Sequence, residues 1–202
     1  MASSFLETSM SFVGDCIEAG IDAARGTPRI VWIVPVVLVL GILLIYATPL
    51  AWATSKPVQE IVAPTVIALA TAVVTQFHSV ARSKLSIILC CFVWALFLRE
   101  LHLPLTNTGF YIAIVLIAGW GVVERESLSP WLRDERVSFL LPAAIWTYFI
   151  SKVFDRHYLD FLPAYYTWND HVEETLETCG HLIVFALVIV TFGMQIARKR
   201  TS

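Results

Sequence analysis

Apolar residues in this chain gather into six long runs separated by short polar breaks. The runs fall near 30 to 52, 58 to 79, 84 to 101, 106 to 123, 137 to 154 and 175 to 197. Each holds about 18 to 25 residues, and a helix rising about 1.5 Å per residue needs about 20 to cross a hydrocarbon core of about 30 Å. The fifth run is the weakest, because its clean apolar part, 137 to 151, reaches full length only if the Lys152 stem lies along the lipid. Ahead of the runs, residues 4 to 25 repeat at helical spacing. Leu6, Met10, Val13, Ile17, Ile21 and Ala24 make one face, with Glu7, Asp15, Glu18 and Asp22 opposite. Gly26 and Pro28 end that helix. The pattern predicts an all-α integral membrane protein, a bundle of about six transmembrane helices with an N-terminal amphipathic helix. Residues 1-28 form the cytoplasmic-side helix and 29-202 one polytopic transmembrane domain.

Composition agrees, since 57% hydrophobic and 15% charged residues are outside the range of an ordinary soluble domain. A net charge of −2 leaves no basic field, which excludes nucleic acid as the expected partner. The expected partners are the lipid bilayer and, through residues 4–25, a protein. The polar face of that helix is acidic where a lipid-bound helix carries Lys or Arg, although a helix lying flat at the interface fits the same apolar stripe. Four scattered cysteines make no disulfide framework.

Lys and Arg set the expected orientation. With both termini cytoplasmic, the inner segments hold ten of them and the outer ones only Lys56, Arg99, Lys152 and Arg156. The same assignment places His102, His157, His171 and His181 on the outer half, where Glu100, Asp155, Asp170, Glu173, Glu174 and Glu177 also lie.

The last run carries the candidate chemistry. Asp170, Glu174, Glu177 and His181 are spaced 4, 3 and 4 apart, so they share one helical face. His181 lies about one turn inside the hydrocarbon, where an ionisable group is costly unless paired, hydrated or metal-bound. Two other outer segments can converge on it: Arg99-Glu100-Leu101-His102, and Asp155-Arg156-His157. Carboxylates with imidazoles are ligands for zinc, iron or manganese. The candidate metal set is therefore His181, Glu177, Glu174, Glu100, His102, Asp155 and His157. Glu177 or Glu174 is the candidate general base of a hydrolase acting on a lipid or envelope substrate, and Arg99 and Arg156 would hold an anionic headgroup.

No segment is a metal motif by itself. There is no H-E-x-x-H, and the last run holds a single His, so the paired His-x-x-x-His of alkaline-ceramidase-type hydrolases is absent. Two further readings share the same residues. One is an ion-pair network in a non-enzymatic subunit, with Arg99, Lys152 or Arg156 neutralising Glu177 or Glu174. The other is a proton- or cation-coupled path, which must contend with Val184, Phe185, Val188 and Phe192 below His181. The stretch 155 to 172, rich in Tyr and Trp, reads as an aromatic belt at the headgroup level or a lid over the acidic site.

Overall fold

The computed structural model describes residue 14 and residues 27–102, 106–156, 158–162 and 164–201. The expected amphipathic helix at 4 to 25 lies, apart from Gly14, outside the described residues. The regular elements among the described residues are all helices, with no strand. A 3-10 turn, Arg29–Ile33, runs into α1, Val34–Tyr46, and a second one, Pro49–Thr54, leads to α2, Lys56–Ala81. Then come α3, Lys84–Glu100, and α4, Thr106–Val123. The short α5, Arg125–Leu132, precedes α6, Glu135–Asp155, and α7, Tyr165–Thr201.

Among the described residues, four helices are long and apolar enough to cross a membrane: Arg29–Tyr46, Lys56–Ala81, Glu135–Asp155 and Tyr165–Arg200. A fifth candidate is the bent pair of α4 and α5, which turn by 90° at Glu124. With 17 residues, α3 is at the short end of the spanning range. The expected first run to residue 52 is cut back to Tyr46. Pro49 starts a new 3-10 turn there, and Thr48, pushed to an extended backbone as residues before proline are, caps it through its side chain.

Helix α7 is the axis of the bundle, packed by α6, α2 and α1, while α3 packs on α2 and α4 on α3. At 37 residues it rises about 55 Å, well beyond a hydrocarbon core of about 30 Å. Its start marks what is called here the upper end. There Tyr165 is buried and its hydroxyl donates to the Phe154 carbonyl at 2.7 Å. This is why 155 to 172 is not a free lid: its second half is the first turns of α7, locked by Tyr165 and Trp168 around Phe154. Tyr158, Phe161 and Tyr166 stay exposed, as an aromatic belt requires.

The lower end is closed by α5 and the tail of α7. The Arg198 guanidinium lies 4.1 Å from the Trp131 ring centroid and donates to the Pro130 carbonyl, and Lys199 donates to the Val80 carbonyl at 2.8 Å. Lys84 reaches Glu124 at 2.5 Å, and that hydrogen bond holds the Glu124 carboxyl below the usual carboxylate range. Between the ends, Ile67, Ala70, Val74, Phe77, Val93, Leu96, Ala144, Val184, Leu187 and Val188 make one apolar core.

Candidate functional site

Two consecutive residues at the upper end of α3 start the site. Arg99 and Glu100 precede a helix terminus at Leu101, and both turn inward against α7. Arg99 pairs with Glu177, and Glu100 Oε1 lies 3.3 Å from His181 Nε2. Glu177 and His181 are one turn apart on α7, so the two pairs stack in register across the α3–α7 contact. His181 is fully buried, and Glu177 is 7% exposed.

The other face of the imidazole meets α6. The Tyr148 hydroxyl hydrogen-bonds His181 Nδ1. Close approach of the two helices allows it: a Cβ built on Gly180 would lie 2.9 Å from Tyr148 Cε1 and Cζ. Glycine thus gives the phenol its seat. A carboxylate only accepts hydrogen bonds, so the Nε2 facing Glu100 is assigned the ring proton. In the neutral ring Nδ1 then accepts from Tyr148. The chain is carboxylate, imidazole, phenol. At 3.3 Å the Glu100 contact is an ion-pair distance rather than a well-aligned hydrogen bond, which leaves Nε2 under-satisfied in a buried setting.

A second ring of charge lies one to two turns higher. Lys152 on α6 holds Asp155 at 2.9 Å and lies 3.9 Å from Glu177. Lys56, opening α2, holds Glu174 at 3.1 Å. Thr54 hydrogen-bonds His171 Nδ1 at 3.0 Å, and the Tyr46 ring packs on that imidazole.

Of the candidate metal set, Glu100, His181 and Glu177 come together, with Arg99 occupying Glu177. His102, Asp155 and Glu174 do not join them. His102 has a left-handed backbone, φ 50°, just past the end of α3, and its exposed ring hydrogen-bonds the Glu100 carbonyl oxygen. Asp155 belongs to Lys152, and Glu174 belongs to Lys56. His157 lies outside the described residues. Arg156 is an exposed residue at the end of α6, without an ion pair among the described residues, whereas Arg99 is spent on a carboxylate rather than open to a headgroup. Among the described residues no group of three or more His, Cys, Asp or Glu side chains is arranged to hold a metal ion. Both candidate bases, Glu177 and Glu174, are neutralised by cations.

The sequence does not single out Tyr148 or Gly180, and it marks Lys56 only as an outer cation, not as the partner of Glu174. Tyr148 looks like one more aromatic in an apolar helix, and only the glycine directly before a buried histidine hints at a large neighbour there. No family model, curated protein or solved structure matches the chain.

Proposed function

We propose that this is a multi-pass membrane protein whose activity is linked to the gain and loss of a proton at His181. The observation that supports this reading most is the enclosure of His181 between Glu100 and Tyr148. A buried imidazole with a carboxylate on one nitrogen and a rotatable hydroxyl on the other has a place for a proton and a means to accommodate it. On uptake at Nδ1, the Tyr148 O–H turns from donor to acceptor, and the new cation faces Glu100. The network then holds two cations, Arg99 and His181, against two carboxylates, Glu100 and Glu177.

This favours a proton-linked component over a metal hydrolase. A metal-bound histidine uses one ring nitrogen for the ion and steadies the ring with the other, whereas here both nitrogens face protein partners. It also favours proton binding over a continuous path. Below His181, α7 buries Val184, Leu187 and Val188, and Thr191 returns its hydroxyl to backbone carbonyls. In the full reading, six helices cross the membrane, α3 and α4 among them, with both termini cytoplasmic and the network near the outer face.

Proton uptake after a pH jump tests the proposal directly. Proteoliposomes carrying the protein should take up about one proton per chain more than the His181→Gln variant when the pH is dropped. Equal uptake by the two proteins contradicts the proposal. Stoichiometric zinc, iron or manganese in protein purified without chelator, lost in the same variant, would return the site to metal chemistry.

A further inference from the structure

We infer that the bundle holds a glycerophospholipid, with its phosphate at Arg136 at the lower end and one acyl chain in the groove between α1, α6 and α7, which rises as far as Cys179 near the level of His181. Two cavities lead to this. One, of about 580 Å³, is lined by Pro28, Glu135, Arg136, Phe139, Leu140 and Val190. The other, of about 270 Å³, is lined by apolar side chains that include Leu38, Ala143, Cys179 and Leu182. Phe139 and Leu140 border both, so the two are successive parts of one groove. From Val190 to Cys179 it follows α7 for about 16 Å, roughly one leaflet of a 30 Å hydrocarbon core.

The chemistry along the groove changes in the order a lipid requires. Its deep part has only apolar walls and Cys179, which suits an acyl chain. Its mouth is at the start of α6, where Arg136 is exposed and, among the described residues, its guanidinium has no ion pair. A planar guanidinium matches a phosphate in a two-point hydrogen bond. Glu135 stands beside it, also exposed, and offers a carboxylate to an amine headgroup. Charge and depth together select a phospholipid over a neutral hydrocarbon.

Native mass spectrometry of the protein released from nanodiscs of phosphatidylglycerol and phosphatidylethanolamine tests this, with Arg136→Gln and Val190→Trp as variants. The wild type should retain one phospholipid through detergent washing. Arg136→Gln should weaken retention about tenfold, the worth of a charged hydrogen bond, and Val190→Trp should exclude the chain by bulk. Circular dichroism shows whether each variant keeps its helices. Preference for phosphatidylglycerol would assign the headgroup to Arg136 alone, and preference for phosphatidylethanolamine would bring in Glu135; both support the site. Equal retention in all three folded proteins, or retention of fatty acid instead of phospholipid, overturns it. His181→Gln should retain the lipid as the wild type does, so this result is independent of the proton-linked reading.

Discussion

At the scale of single residues, the site depends on a few contacts with no slack. Gly180 is the clearest, because the Tyr148 ring occupies the space a methyl group would need. Gly180→Ala should force the ring away, destabilise the protein by about 1–3 kcal/mol and weaken the Tyr148–His181 bond. Thermal melting of the purified variant measures the first effect, and the tyrosine hydroxyl band in infrared difference spectra reports the second. Tyr148→Phe separates them, since it removes the hydroxyl and keeps the ring. Leaving His181 Nδ1 without a donor should cost about 1–3 kcal/mol. Little of this detail was legible in the sequence. His181 was, because an ionisable residue inside an apolar run must have a partner. The identity of that partner depends on the α6–α7 packing distance, which no spacing along one helix encodes.

At the scale of elements, the Arg99–Glu177 pair clamps α3 to α7 where both approach the upper end. Both side chains are largely enclosed, at 13% and 9% exposure, so removing Arg99 leaves Glu177 buried with only the more distant Lys152, 3.9 Å away. Arg99→Leu should destabilise by about 3–5 kcal/mol, and Glu177→Leu added to it should restore much of the loss. Chemical denaturation of the single and double variants in mixed micelles decides this, and an additive double variant would mean that the pair is not a coupled clamp. Helix ends offer a second test. Arg82 closes α2 with a left-handed backbone, φ 47°, where only glycine is unstrained. Arg82→Gly should be neutral or stabilising by up to about 1 kcal/mol in the same assay, and Arg82→Val destabilising. The long apolar runs 58 to 79 and 106 to 123 were legible as helices and match α2 and α4 closely, because length and hydropathy carry that signal. The start of α7 at Tyr165 was not: its first two turns are polar and aromatic, and they fold as helix because Tyr165 and Trp168 find Phe154 across the chain.

For the whole molecule, the bundle places cations and acids in layers. Arg198, Lys199 and Lys84 gather at the lower end, and three cation–carboxylate pairs, Lys56–Glu174, Lys152–Asp155 and Arg99–Glu177, gather at the upper. The excess of basic residues below predicts that end to be cytoplasmic. Single cysteines placed at exposed Tyr158 and at Arg200 should then react with an impermeant thiol reagent from opposite faces of sealed vesicles; labelling from the same face would reject six crossings with this orientation. The convergence of the three outer segments was only partly legible. The helical stripe brought Glu177 and His181 to one face, and α3 delivered Arg99 and Glu100 as its length required. The turn after α3 sent His102 outward, and Lys152 and Lys56 claimed the acids that a metal would have needed.

The central claim is that His181 carries the proton. Selective ¹⁵N labelling of histidine, with His181 assigned by comparison with His181→Gln, allows the protonation of both ring nitrogens to be followed by NMR as the pH is varied. The account predicts that at high pH His181 has a protonated Nε2 and an unprotonated Nδ1. Nδ1 should then gain a proton as the pH falls, and the transition should be displaced in Tyr148→Phe. A His181 ring that stays in one protonation state throughout, or that titrates identically with and without the Tyr148 hydroxyl, would contradict it.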